Sequence, residues 1–213
     1  GVGCSGGGGN MRIRPVHPSE ELHIEKQTEE AVPGYYATSF TNGIKTELTA
    51  TNLMAVERYI YPDNLPASLW IDFSSCFESK ATYEYKQVSE TCLEGFIHAK
   101  TVCSRGEYKL YFSMHTDKPF QLKEKESELP CLDFGNETKE VEVRIALSAL
   151  GENEARQEYA QWKNKSFAQL KKASYKEWED KLASINVKGG TEDDKFIFYT
   201  SLYRACLSPV DVT

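Results

Sequence analysis

The hydrophobic period of this chain changes once, at Gly151. Before it, apolar and polar residues alternate in short runs, as in Thr82-Tyr83-Glu84-Tyr85-Lys86. After it, apolar residues recur at spacings of three and four. A period of two places alternate side chains on opposite faces of a strand; a period near 3.6 gathers them on one stripe of a helix. The chain must therefore build a β region first and helices second.

Within 35–149 the expected strands are Tyr35–Phe40, Ile44–Thr51, Val56–Tyr61, Ser68–Phe73, Thr82–Val88, Leu93–Lys100, Tyr108–Thr116 and Val141–Leu150. Asn42-Gly43 between the first two is the dipeptide best suited to a tight hairpin, because both residues tolerate positive φ. Short alternating strands separated by turn residues predict an antiparallel sandwich. Helical spacing runs from Glu152 to Trp162. It resumes with Phe167, Leu170, Ser174, Trp178, Leu182 and Ile185 on one stripe, while Lys176–Asp180 and Glu177–Lys181 face water at i,i+4. Val187–Gly190 reads as a linker, and Thr191-Glu192-Asp193-Asp194 as a capping box with acidic residues at the positive helix end.

The helix that follows, through Phe198-Tyr199-Thr200-Ser201-Leu202-Tyr203-Arg204-Ala205-Cys206, is apolar or aromatic on nearly every side, until Ser208-Pro209 stops it. Such a helix needs partners all round. The expectation is that this chain is part of a larger protein whose further helices cover it.

Net charge is -7 and the isoelectric point about 5.3. No surplus of Lys and Arg is available to neutralise phosphates, which argues against a nucleic-acid partner. No apolar run approaches the ~20 residues that span a bilayer. The six cysteines, at 4, 76, 92, 103, 131 and 206, form no C-x-x-C pair, and no His stands at zinc-finger spacing. They read as buried or idle thiols, or as one or two disulfides.

Gly1-Val2-Gly3-Cys4-Ser5-Gly6 matches G-x-G-x-x-G literally, but that motif must follow a strand and open a helix. Here further glycines, to Gly9, lead into Met11-Arg12-Ile13-Arg14, which alternates like a strand. A flexible loop, or a loop whose backbone comes close to a ligand, fits better than a nucleotide site. His17, His23, His98 and His115 show no metal-site spacing. Glu29, Glu30 and Glu47 are candidate acids; a glycosidase needs two carboxylates facing each other across a bond, which spacing alone does not establish. Trp70, Trp162 and Trp178 suit either sugar stacking or packing.

Several blocks together resemble glycoside hydrolase family 92, the calcium-dependent exo-α-mannosidases. Gly1-Val2-Gly3-Cys4 is similar to the family's G-T-G-C loop, Glu30-Ala31-Val32-Pro33-Gly34-Tyr35-Tyr36 to its E-x-A-x-P-G-Y-Y block, and Glu47-Leu48-Thr49-Ala50-Thr51 to its E-L-T-A-T strand. Ile145–Ser148 through Glu154-Ala155-Arg156 resembles the last sandwich strand and its linker. Trp178…Leu182…Ile185 and Phe198–Arg204 resemble its helical signatures, in the same order.

The resemblance implies a mainly β fold with α: an antiparallel β-sandwich of the supersandwich type over 1–150, linker helices over 151–190, and over 191–213 the first helix of a truncated (α/α)6 barrel. It implies a secreted or periplasmic parent that removes terminal α-mannose from glycans by inversion, with calcium. The general acid, the general base and the calcium ligands would lie downstream of Thr213, so this fragment alone would be inactive and hold no cofactor. Gly3 and Cys4 would border the sugar from the sandwich side, although Ser5 and the glycines up to Gly9 replace the family's usual polar segment. A non-catalytic carbohydrate-binding domain or a purely structural β domain is the alternative. The partners implied are mannose-containing glycans and the missing barrel.

Overall fold

In a computed structural model, residues 10–75, 81–100, 106–125 and 128–207 are described. They form two antiparallel sheets and three helices. The smaller sheet has the order β1 (Arg12–Arg14), β6 (Ala67–Asp72), β11 (Cys131–Gly135), β10 (Gln121–Lys123). The larger runs β2 (Glu30–Val32), β3 (Tyr35–Ser39), β4 (Lys45–Ala50), β5 (Met54–Ile60), β12 (Glu140–Ser148), β9 (Glu107–Thr116), β8 (Cys92–Lys100), β7 (Thr82–Ser89).

Alternation decides which side chains meet. In β6, Ala67, Leu69 and Ile71 are buried while Ser68, Trp70 and Asp72 point outward. In β12, Val141, Val143 and Ile145 face the same core, joined by Tyr59, Leu93, Ile97, Phe112 and Met114 from the large sheet and Leu132 and Phe134 from the small one. That shared interior makes the two sheets a sandwich.

The opposite face of the large sheet is covered by helices. Tyr35, Ala37, Met54, Val56 and Ala146 pack there against Phe167 and Leu170, with Tyr159 and Trp162 alongside. These belong to α1 (Glu152–Trp162) and α2 (Phe167–Leu182). The layers are therefore small sheet, large sheet, helices. β12, last strand in sequence, fills the middle of the large sheet between β5 and β9. The chain leaves that central strand through Gly151, so α1 lies over β12, β9 and β8.

All eight expected strands are present, with ends shifted by a few residues, and α1 spans the expected residues. The Asn42-Gly43 hairpin is closed by Phe40 N–H to Ile44 O (2.8 Å) and Gly43 N–H to Phe40 O (2.8 Å), with Gly43 at φ 88°. Three residues thus form its loop, with glycine where the backbone turns left-handed. The strands Glu30–Val32, Gln121–Lys123 and Cys131–Gly135 go beyond the expected set, the first two being too short to display a period.

α2 begins at Ser166, whose hydroxyl accepts from Gln169 N–H in a capping box, and Phe167, Leu170 and Ser174 are its buried stripe. The helix ends at Leu182, so Ile185 falls beyond it and is exposed. α3 (Glu192–Cys206) starts on the expected box: Asp194 N–H donates to Thr191 Oγ1 at 3.1 Å, and Thr191 N–H to Asp194 Oδ2 at 2.8 Å. No residue of α3 is buried; Phe196 is 73% and Ile197 64% exposed.

Candidate functional site

Gly3, Cys4 and the glycines up to Gly9 lie outside the described residues. So does Thr213, downstream of which the resemblance puts the general acid and base; the description stops at Leu207. Asn10, which follows the glycines, accepts a hydrogen bond from the Tyr108 hydroxyl at the start of β9. Ala99 and Lys100 close β8 against Tyr108 and Glu107 at that same rim.

The candidate acids have different surroundings. Glu29 is bound by the Tyr36 hydroxyl at 2.7 Å and Lys26 Nζ at 3.2 Å, and Glu30 is exposed on an edge strand. Glu47 is buried. It takes Tyr35 OH at 2.7 Å, Arg58 Nε at 2.9 Å and the adjoining Arg58 Nη2. Burial pushes its carboxyl up, but Tyr35 and Arg58 outweigh burial and hold it below the usual range. An ionised, fully engaged carboxylate has no proton to give, so Glu47 is structural.

The two family-like blocks meet through the same contact region. Thr49 Oγ1 donates to Gly34 O at 2.7 Å, and Tyr35 sits opposite Thr49 across the β3–β4 pair. Gly34 has φ 82°, and a Cβ there would stand 2.6 Å from Ser174 Oγ of α2. Glycine thus lets strand and helix touch. Around this contact, Tyr35, Thr49, Thr51, Trp178 and Tyr203 line a groove of about 630 Å³ between the sheet and the helices. A second groove, about 860 Å³, runs between β2 and α3 past Val32, Pro33, Phe196, Tyr199 and Tyr203. Tyr203, whose ring lies 4.7 Å from that of Trp178, lines both grooves. Trp162 packs beneath α1, and Trp70 stands edge-on to His17 on the outer face of the small sheet.

A polar cluster that the sequence did not disclose lies beneath α1. Arg156 donates to Glu94 through Nε at 2.8 Å and Nη2 at 2.7 Å. The Ser113 hydroxyl donates to Glu94 Oε1 at 3.3 Å and stands 2.9 Å from His115 Nε2, which is 3.7 Å from Cys92 Sγ. The His115 ring lies on that of Tyr159, centroids 3.5 Å apart and 3° from parallel. Nearby, Arg144 binds Glu142 through Nε at 2.7 Å. It also donates to the carbonyls of Trp162 (3.0 Å), Lys163 (3.1 Å) and Lys165 (2.7 Å). The Trp162 carbonyl, last of α1, also takes Lys165 N–H at 2.9 Å, and the Lys163 and Lys165 carbonyls belong to the turn that follows.

Cys92 and His115 superficially suggest a nucleophile and its base. Burial, with Glu94 beside it, pushes the Cys92 thiol up to about 11, and burial takes His115 down to about 4. A thiol so far from ionising, under a helix, is a packing group. The cluster fixes α1 on the sheet. Only pairing register brings these residues together: Cys92 opposes His115, Glu94 opposes Ser113, and Arg144 opposes His115 on its other side.

Among the described residues, no group of three or more His, Cys, Asp or Glu side chains could hold a metal ion. Three of the less exposed carboxylates are already committed: Glu47 to Arg58, Glu94 to Arg156, Asp133 to Lys123. These residues do not fit calcium. Among the described residues, no helix is long and apolar enough to cross a membrane.

The glycosyl hydrolase family 92 N-terminal domain model matches residues 1–148, and the catalytic domain model of that family matches 152–213. An uncharacterized secreted glycosidase of Arthroderma benhamiae is 25% identical over 90% of this chain and 30% of its own length. A family GH92 α-mannosidase from Bacteroides thetaiotaomicron superimposes with a TM-score of 0.80 at 21% identity, covering 95% of this chain and 32% of its own. The GH92 glycosyl hydrolase ccman5 gives 0.85 at 21% identity over 100% and 34% of the two chains. A GH92 inverting mannosidase from B. thetaiotaomicron gives 0.78 at 19% over 93% and 30%. The chain thus spans about a third of the length of these relatives, and at such identities the structural agreement is one of fold.

Proposed function

The chain belongs to glycosyl hydrolase family 92, and on that premise we propose that it is the N-terminal part of an enzyme that removes terminal α-mannose from glycans by inversion. The observation that carries this reading is the order of the two family matches, sandwich at 1–148 and catalytic domain from 152, on a fold shared with α-mannosidases.

In this reading the sandwich is a scaffold. α1 and α2, within 151–190, connect it to the catalytic half, and α3, within 191–213, is the first helix of an (α/α)6 barrel. The aromatic residues that α3 exposes then pack against later helices. Gly3 and Cys4, ahead of Asn10 at the β8–β9 rim, border the sugar. The acid that protonates the leaving oxygen, and the base that activates water on the opposite face, come from beyond Thr213. The calcium ligands come from there too; the buried carboxylates Glu47 and Glu94 are held by Arg58 and Arg156. A secreted or periplasmic location is proposed from the name of the Arthroderma relative.

The test is hydrolysis of α-mannosides by the longer protein, with the anomer of the released sugar followed by proton NMR. Release of β-mannose first supports inversion. Release of α-mannose first refutes it, and binding of mannose glycans without any turnover favours a carbohydrate-binding domain instead.

A further inference from the structure

α1 is held to the sheet chiefly by polar groups. Ala155 is its one buried side chain among the described residues, with Tyr159 and Trp162 partly covered. Its anchors are Arg156 on Glu94, Arg144 on the carbonyls at its end, and the Tyr159 ring on His115. A helix with so little apolar burial is the kind of element that opens locally before the whole domain does.

We propose that His115 is an acid-sensitive latch for α1: the neutral ring holds the helix down, and protonation releases it while the sandwich stays folded.

The hydrogen-bond chain assigns the ring's proton. Ser113 spends its hydroxyl proton on Glu94, so it accepts from His115 Nε2–H. An added proton must therefore go to Nδ1. Of the charged groups around the ring, Glu94 favours the added proton and Lys163 opposes it. Arg144 and Glu142 come from β12, already paired with each other. Glu94 and the Cys92 thiol come from β8, with Glu94 paired to Arg156 of α1. Lys163 follows α1, and Lys86 of β7 lies beyond, near Glu152. Glu142 and Glu94 each already hold an arginine, which offsets part of their pull on an imidazolium. The Tyr159 face attracts a cation, but burial outweighs this and takes the ring from 6.5 down to about 4. With the folded value depressed, the neutral ring's contribution is complete above about pH 6.5 and lost as pH falls toward 4.

The test is hydrogen exchange on the 213-residue chain from pH 7.5 to 4, corrected for intrinsic rates, comparing amides of 152–162 with those of β12. The expected result is at least about tenfold loss of protection in α1 between pH 6.5 and 4, with β12 protected throughout. His115→Phe keeps a stacked ring and should abolish the acid step; Glu94→Gln should retain it. In the unaltered chain, the His115 ring followed by NMR should titrate with the same midpoint as α1 release. A ring that titrates near 6.5 while α1 stays protected overturns the proposal. So does simultaneous loss of α1 and β12, or an acid step that survives His115→Phe.

Discussion

Arg156 on α1 meets Glu94 on β8 through two nitrogens, at 2.8 and 2.7 Å, and this pair sets where the chain goes once it leaves the sandwich. Glu94 is almost fully covered while the Arg156 side chain is 42% exposed. Solvent therefore weakens the pair, and a charge-assisted bidentate contact of this kind couples by about 1 kcal/mol. A double-mutant cycle with Glu94→Gln and Arg156→Gln, read by urea unfolding, should give coupling of that order. Additive single effects would show that the pair does not hold α1.

Gly34 is where strand β3 touches helix α2. Its φ of 82° disfavours any side chain, and an added Cβ would press on Ser174 Oγ. Gly34→Ala should cost about 2–4 kcal/mol, from left-handed strain plus overpacking. Measured against Ser174→Ala alone, Gly34→Ala in the Ser174→Ala background should cost less, by the share that Ser174 Oγ imposes. Thermal unfolding of the single and double variants separates the two.

Glu47 predicts acid lability of a different kind. Tyr35 and Arg58 hold its folded carboxyl below the ordinary 4.5. Its contribution is therefore present above that ordinary value and lost as pH falls through the folded one. Glu47→Gln should lower the urea midpoint at pH 7 and flatten the decline of stability below about pH 4.5. An unchanged acid limb would mean that the ion pair with Arg58 contributes nothing.

The sequence disclosed what has a period. Thr82–Val88 and Val141–Leu150 alternate, and both are strands. Phe167, Leu170 and Ser174 recur at helical spacing, and they are the buried stripe of α2. Thr191 and Asp194 carry a capping box in their order alone. Cys131–Gly135 lies outside the expected strands although Leu132 and Phe134 alternate into the core; its pairing with β6 and β10 makes it a strand. The cluster under α1 was out of reach for another reason. Glu94, the Ser113–His115 pair and Arg144 are far apart in the chain; cross-strand register makes them neighbours, and the docking of α1 adds Arg156. Spacing leaves Glu47 a possible acid because it carries no information about Arg58, its partner on the next strand.

α3 contributes no buried residue to either core, and it touches α2 and the turn after it through the Tyr203 ring on Trp178 and the Tyr199 hydroxyl on Ile185 O at 3.2 Å. Truncation after Gly190 should leave the sandwich's cooperative thermal transition within about 1 kcal/mol of the 213-residue chain. It should also reduce self-association seen by analytical ultracentrifugation, because exposed Phe196 and Ile197 are removed. Loss of the transition would place α3 in this domain's own core.

The central claim is that this chain is the scaffold half of a mannose-releasing hydrolase, and parallel assays of two proteins test it most directly. Release of mannose from an α-mannoside is measured for the longer protein and for residues 1–213 alone, with and without calcium. The account predicts turnover by the longer protein that chelation abolishes, and none by the shorter chain. Mannose release by residues 1–213 at a rate comparable to the longer protein would contradict it.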